Sequence, residues 1–156
     1  YWDNVMEPDG QGGLALRLGL RQIRGMAEEE ARWITAARGN GYRAVRDVWR
    51  RAGVLPRLLT RLAEADAFAG LGLARREALW QARAITGDKP LPLFDGDMDG
   101  EGGGEPAVEL PEMSLGEQVV EDYVATRLTL RAHPMALLRP LLTPGFEGPP
   151  SAHGPA

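Results

Sequence analysis

The feature that most constrains this chain is a glycine turn between a short apolar segment and a helix of good helix formers. Leu18, Leu20 and Ile23 lead into the turn at Gly25, and the helical pattern begins at Glu28. At a helix start the first backbone N–H groups lack partners within the helix, and the helix dipole favours an anion there. This order of elements predicts a turn that binds a phosphate through its backbone.

We call residues 25–27 hairpin one. Gly25 permits a positive φ or the close approach of a phosphate oxygen, and Met26 can anchor the turn in the core. Ala27 stands where a second glycine is usual, and its small side chain keeps the backbone open. Arginines flank this turn on both sides in the sequence, namely Arg17, Arg21, Arg24, Arg32 and Arg38. We favour DNA contact here over a plain turn between helices with solvated arginines.

We call residues 70–72 hairpin two. It consists of Gly70, Leu71 and Gly72, and a helix with Arg75 and Arg76 in its first turn follows. Basic residues at a helix N-terminus oppose the dipole, so their presence points to an anion. The alternative, a structural repeat that only completes the fold, stays open.

The two halves repeat one scheme of helix, glycine turn and arginine-bearing helix, which predicts an all-α, tandem helix-hairpin-helix domain at 14–87. Leu14 and Leu16 alternate with other residues in a short strand-like pattern, and three tryptophans, Trp33, Trp49 and Trp80, occupy helical positions typical of a core. The rest of the chain divides into a loosely held lead-in at 1–13, a flexible acidic Gly/Pro linker at 88–112, a short helical segment at 113–142 and a disordered tail at 143–156.

Charge is divided unevenly along the chain. Residues 14–87 contain 14 Arg against 7 Asp or Glu, a net charge of +7, whereas residues 88–156 contain 4 Lys or Arg against 12 Asp or Glu, a net charge of −8. A basic half followed by an acidic half favours a nucleic-acid partner more than the overall charge of −4 suggests. Genome composition accounts for Lys89 being the single lysine, but it does not account for this segregation.

Composition also excludes several classes of protein. No cysteine is present, so disulfides and thiolate metal sites are excluded and a reducing cytoplasm is favoured. No apolar run approaches the ~18 residues that a membrane helix needs, so no membrane partner is expected. Because the chain begins with Tyr1 and not Met, we expect it to come from inside a longer protein.

Two short patterns in the expected linker call for separate interpretations. The aspartates between Asp95 and Gly100 match the first half of a calcium loop, but Pro106 stands where a bidentate Glu is required, so we expect no metal site. Leu91, Leu93 and Phe94 form an apolar cluster that docks either on its own domain, which we favour, or in the groove of a partner.

Taken in order, several segments resemble the tandem helix-hairpin-helix region of bacterial C-family (DnaE-type) DNA polymerase III α subunits, and the closest likeness is to the error-prone accessory class (ImuC). They are LRLGLRQIRG at 16–25, RLAEADAF at 61–68, LGLARREALW at 71–80, PLPLF at 90–94 and LTLRAHPM at 128–135. The resemblance implies a module of a translesion polymerase that holds duplex template-primer DNA without reading its sequence. The catalytic aspartates of that enzyme are absent, so we expect no catalytic residues and no cofactor in this chain, although the parent polymerase would need Mg²⁺.

The resemblance also implies partners and contact residues. Double-stranded DNA is the expected partner, in a cytoplasmic, nucleoid-associated location. Replicative relatives bind a sliding clamp near the position of residues 90–94, but Pro90 replaces the Gln of that motif. The alternative function is a protein-interaction module that docks a sliding clamp or mutasome subunit. The residues expected to contact DNA are Arg21, Arg24, Gly25, Met26, Ala27, Gly70, Leu71, Gly72, Arg75 and Arg76.

Overall fold

A computed structural model describes residues 1–87 and 110–142 of the chain. These residues are mostly helical, but the all-α expectation needs one correction, because a two-stranded antiparallel sheet precedes the helices. Strand β1 is Val5–Pro8 and strand β2 is Leu14–Arg17, with Val5 opposite Arg17 and Pro8 opposite Leu14. The strand-like alternation correctly indicated β2. Its partner β1 lies in the segment assigned to the lead-in.

Within the described residues six α-helices follow the sheet, and local sequence signals set several of their ends. Gly53 ends α2 in the left-handed region at φ 63°, and Pro56 is the first residue of α3, as expected from the residue types. Ser114 and Glu117 form the expected capping box at the start of α5. The helices are α1 (Glu28–Ala36), α2 (Val45–Ala52), α3 (Pro56–Glu64), α4 (Arg75–Ala84), α5 (Leu115–Thr126) and α6 (Pro134–Leu142).

The two hairpin units are not equivalent. Hairpin two joins α3 to α4 through a 3₁₀ turn at Ala69–Leu71, as the repeated scheme predicts. Hairpin one, in contrast, is preceded only by a 3₁₀ turn at Leu20–Gln22 and not by an α-helix. The prediction of two equal units was therefore wrong for the first. Its apolar segment is too short for a helix and runs directly out of β2.

The hydrophobic core centres on α3. Leu58 and Leu59 of this helix are fully buried, as are Val45 at the start of α2 and Val54 in the turn between α2 and α3. Met26 is also buried and joins the same cluster, which confirms its expected role as the anchor of hairpin one. The core thereby fixes the position of hairpin one relative to the helices.

The tryptophan prediction was correct for one residue of three. Trp49 packs against the core. Trp33 and Trp80 are 48% and 50% exposed, so about half of each side chain faces solvent and not the core.

The C-terminal segment packs on the helical body through α5. Val119 and Ala125 of this helix are buried, and the N–H of Arg24 donates to the carbonyl of Ala125 at 2.8 Å. In the part of the chain that the structure covers, no helix is long and apolar enough to cross a membrane. Positions 88–109 of the expected linker and the expected tail at 143–156 lie outside the described residues.

Candidate nucleic-acid interface

Hairpin one exposes its glycine and buries the residue after it. Gly25 has φ +74°, the positive value expected for the turn, and is exposed, whereas Met26 is buried. The guanidinium of Arg61, on α3, donates to the Gly25 carbonyl. A Cβ added at Gly25 would lie 3.1 Å from Cζ of Arg61. Two cationic side chains, Arg24 and Arg61, therefore adjoin the one glycine of this turn.

Most backbone donors around hairpin one are already engaged, unlike the free set expected from the sequence. The N–H of Arg24 donates to Ala125, and the N–H of Met26 donates to the Ile23 carbonyl at 3.2 Å. The N–H of Ala27 donates to the carboxylate of Glu30 at 3.0 Å. Among the described residues the Gly25 N–H has no partner, so it is the donor of this turn that remains open to a ligand.

The start of α1 provides its own negative charge. Glu28, Glu29 and Glu30 all lie in its first turn. Carboxylates at this position interact favourably with the helix dipole, but they repel a phosphate. The α1 N-terminus, which suggested an anion site in the sequence, is therefore not where the structure favours one, because three carboxylates lie in its first turn and that of Glu30 accepts the Ala27 N–H.

Hairpin two has open space beside its glycines, but two of its backbone donors are engaged, because the N–H of Leu71 donates to the Phe68 carbonyl at 2.9 Å and that of Gly72 to the Ala69 carbonyl at 3.0 Å. Gly72 has φ +76°, both glycines are exposed, and a Cβ built on Gly70 or Gly72 would meet nothing within 4 Å. Leu71 is partly buried against the core.

The two arginines after hairpin two do not face solvent freely. Arg75 is 5% exposed, donates to the Gln118 carbonyl at 3.1 Å and forms an ion pair with Asp122. The prediction that Arg75 contacts DNA is corrected here, because α5 covers its guanidinium. Arg76 donates to the Pro111 carbonyl at 2.6 Å and lies 3.2 Å from the carboxylate of Glu117. Both arginines hold the C-terminal segment on α4.

A network of charges surrounds Arg75. Asp122 also accepts a hydrogen bond from the Thr129 hydroxyl at 2.7 Å and lies 3.5 Å from the Arg131 guanidinium. Arg131 pairs in turn with Asp66, whose carboxylate lies 3.9 Å from Arg75. Within the described residues, the Nε of Arg75 is buried without a hydrogen-bond partner. Since two aspartates face two arginines, the network is balanced in charge and locks α5 to the α3–α4 pair.

Several exposed arginines form a cationic surface on the described part of the chain. Of the residues expected to contact DNA, Arg24 belongs to this surface. Arg21, another of those residues, forms an exposed ion pair with Asp3 at 2.6 Å. Arg51 is also engaged, because it donates to the carbonyls of Ala37 and Arg38 at the end of α1. The exposed arginines of residues 1–87 whose side chains have no acidic partner in the described structure are Arg24, Arg38, Arg43, Arg46, Arg57 and Arg83. The excess of arginine over acid in residues 14–87 was the sequence signal for this surface, but it did not say which side chains stay unpaired.

The described residues contain no group of acidic or histidine side chains that could hold a metal ion. The aspartates between Asp95 and Gly100, and the apolar residues Leu91, Leu93 and Phe94, lie outside the described residues.

Comparison with known proteins identifies the relationship of this chain. Residues 1–78 match the family model for the helix-hairpin-helix motif. The chain is 64% identical to the error-prone DNA polymerase of Ruegeria pomeroyi over 145 residues. These residues make up 93% of this chain and 13% of that protein. It is 49% identical over 146 residues to error-prone DNA polymerase 2 of Rhizobium meliloti, again with 13% of that protein covered. The error-prone DNA polymerase of Brucella abortus is 44% identical over 138 residues.

The chain thus spans about 13% of the length of the curated relatives it matches. No solved structure matches the chain significantly. The family match covers half of the chain, and the similarity to error-prone polymerases extends over both described parts. This chain belongs to the helix-hairpin-helix family, in the form found within proteins named error-prone DNA polymerase.

Proposed function

We propose that this chain is the non-catalytic module of an error-prone translesion DNA polymerase that holds duplex template-primer DNA without reading its sequence. The names of its relatives support the polymerase context. The observation that carries the binding proposal is the set of six exposed arginines without acidic partners in residues 1–87. The parent protein would be a DNA-directed DNA polymerase that uses Mg²⁺, and it would act in the cytoplasm at the nucleoid.

The proposed contact is electrostatic and directed at the phosphates. An unpaired, exposed guanidinium can replace counterions on a phosphate without first breaking an ion pair within the protein. At hairpin one the Gly25 N–H and the Arg24 side chain offer donors to a phosphate oxygen. Phosphate contacts position a duplex but carry no base information, so affinity would be nearly the same for unrelated sequences.

A salt titration of the 156-residue chain on labelled duplexes tests this function by fluorescence anisotropy. Two duplexes of unrelated sequence are expected to bind equally, with a slope of log affinity against log salt of about −0.9 per phosphate neutralised. The double variant Arg43→Gln/Arg46→Gln is expected to weaken binding and to reduce the slope by about 1.8 if each arginine neutralises one phosphate.

The matched control removes two arginines that already have acidic partners. Arg17→Gln/Arg32→Gln changes the net charge by the same amount, but Arg17 pairs with Glu7 at 2.6 Å and Arg32 with Glu28 at 2.7 Å. This control is expected to change the slope less than the first double variant. Equal losses in the two variants, or a slope near zero for the unsubstituted chain, would refute the proposed contact.

A second candidate function, a protein-interaction module for a sliding clamp or mutasome subunit, draws support from the C-terminal helices. Val120 and Val124 on α5 are 60% and 54% exposed, and Leu141 on α6 is 74% exposed. Val120 and Val124 lie one turn apart on α5, and exposed apolar side chains grouped on one helix face are typical of a surface that binds another protein. Calorimetric titration with a sliding clamp separates the candidates, because the neutral double variant Val120→Ser/Leu141→Ser would abolish capture of the clamp and leave duplex affinity unchanged.

A further inference from the structure

The two arginines in the first turn of α4 are paired with α5 in different ways. The Arg75 side chain is 4% exposed and its partner Asp122 is 14% exposed, so this pair is sealed from solvent. The Arg76 side chain is 35% exposed and that of Glu117 is 52% exposed. One pair therefore belongs to the packed interface, whereas the other lies at its solvent edge.

The pair at the edge can open without releasing α5. Glu117 is held on its own helix, because its carboxylate accepts the backbone N–H of Ser114 at 2.8 Å. An exposed ion pair contributes little to stability, whereas breaking a buried one is costly. Exchange of one anion for another on Arg76 therefore costs little as long as Arg75 and Asp122 keep α5 in place.

The space beside the glycines of hairpin two is open. Gly70 and Gly72 of hairpin two are exposed, with empty space where a side chain would stand. A DNA strand that follows this turn reaches the α4 side of the molecule without displacing any side chain from the glycines. What separates it from the Arg76 guanidinium is the carboxylate of Glu117 and the carbonyl of Pro111.

We propose that Glu117 is an internal competitor for Arg76, so that Arg76, on the helix after hairpin two, contacts a phosphate only when the Arg76–Glu117 pair opens. The proposal rests on the proposed function, since it assumes that the chain binds duplex DNA. A carboxylate and a phosphate use the same N–H donors of a guanidinium, and their occupancy of one face of Arg76 is mutually exclusive. The contact is an autoinhibitory one, built from the acidic C-terminal helix.

The variant Glu117→Gln tests the proposal in the full chain by duplex binding as a function of salt. It removes the charged partner of Arg76 and leaves the neutral Pro111 carbonyl as acceptor, so the duplex is expected to bind several-fold more tightly at low salt, with a slope steeper by about 0.9. The gain would shrink about 3.5-fold between 50 and 200 mM salt, as expected for one added phosphate contact.

Two control variants separate this effect from simpler ones. Glu121→Gln removes the same charge from the same helix, but Glu121 has no ion pair among the described residues, so only a small, general gain is expected. Ser114→Ala removes the hydroxyl that caps α5 without changing the charge, and it is expected to leave duplex affinity unchanged. Equal gains from Glu117→Gln and Glu121→Gln would overturn the proposal, because net charge alone would then explain both.

Arg76→Gln completes the test. In the unsubstituted chain Arg76 is occupied, so this substitution is expected to change duplex affinity little, whereas in the Glu117→Gln background it removes the whole gain. A loss of equal size in both backgrounds would overturn the proposal, since Arg76 would then already contact DNA. Failure of the unsubstituted chain to bind any duplex would instead refute the proposed function itself.

Discussion

Gly25 is the residue at which backbone conformation and charge meet. Its φ of +74° disfavours any side chain, and Cζ of the Arg61 guanidinium lies 3.1 Å from the place where a Cβ would stand. Gly53 offers a natural comparison. It has φ +63° with open space around it, so it shares the backbone requirement of Gly25 but not its surroundings.

At this scale we expect Gly25→Ala and Gly53→Ala to destabilise the fold by similar amounts, about 1–2 kcal/mol each, because both place a Cβ in the left-handed region. Arg61 adds little to the first value, since the end of its flexible side chain can move. Only Gly25→Ala is expected to weaken duplex binding. Urea unfolding gives the stabilities and anisotropy the affinities, and an equal loss of affinity in both variants would contradict a specific role for hairpin one.

The buried charge of Arg75 is expected to contribute to stability through its two aspartate neighbours. Arg75→Met is expected to cost about 3 kcal/mol, because Asp122 and Asp66 would lose the cation that offsets their burial. The cost stays at the lower end for a broken buried pair, since Arg131 and Thr129 still contact Asp122. The control is Arg83→Met, which removes an exposed arginine from the same helix and is expected to change stability by less than about 0.5 kcal/mol in urea unfolding.

At the scale of elements, the sequence predicted those features that depend on residues nearby in the chain. The structure confirmed the end of α2 at Gly53, the start of α3 at Pro56 and the cap of α5. Each of these features relies on a backbone conformation or a hydrogen bond within a few residues. The pairing of β1 with β2 and the burial of Arg75 could not be predicted in this way. Arg75 and Asp122 are 47 positions apart, and nothing in either segment alone distinguishes a DNA-binding arginine from one that holds a helix.

In the candidate site, too, local features were predicted and those that depend on distant residues were not. The positive φ of Gly25 and the burial of Met26 were predicted from residue type, whereas the loss of free donors was not. The N–H of Arg24 is taken by Ala125, a residue about a hundred positions away in sequence, and that contact exists only because α5 packs on hairpin one.

The cap of α5 is expected to respond to pH with a defined sign. Hydrogen bonds from Ser114, and in smaller part the charge of Arg76, hold the pKa of Glu117 below its ordinary value of 4.5. A lowered pKa in the folded state means that ionised Glu117 stabilises the fold above pH 4.5, and that this contribution is lost as pH falls through the lowered pKa. The stability difference between the unsubstituted chain and Glu117→Gln is thus expected to be constant at neutral pH and to vanish in acid.

Urea unfolding of both proteins between pH 7 and pH 2 measures this difference, and NMR titration of the Glu117 carboxyl reports its pKa directly. Ser114→Ala is expected to raise that pKa partway towards 4.5, because it removes the hydroxyl hydrogen bond and leaves the backbone one. A stability difference that persists unchanged at the lowest pH would contradict the electrostatic origin of the cap.

At the scale of the whole molecule, residues 1–87 and α5 have unequal roles. All the buried residues of the main core, from Ile23 to Ala82, lie within residues 1–87. The C-terminal segment adds Val119, Ala125 and the ion pairs of Asp122 to a body that already has its own core. We therefore infer that residues 1–87 can fold without α5, and that α5 packs on them and pairs with part of their positive charge.

This division predicts how a truncation and a point substitution combine. A chain that ends at residue 87 is expected to unfold cooperatively but at lower urea concentration than the full chain, because it loses the α5 interface. In that shorter chain water reaches the Arg75 guanidinium, so Arg75→Met is expected to change stability by less than about 0.5 kcal/mol, against about 3 kcal/mol in the full chain. Such strong non-additivity is the signature of two changes that act on one contact. If Arg75→Met instead costs the same in both chains, its stabilising partners lie within residues 1–87, and the ion pair with Asp122 does not hold α5 in place.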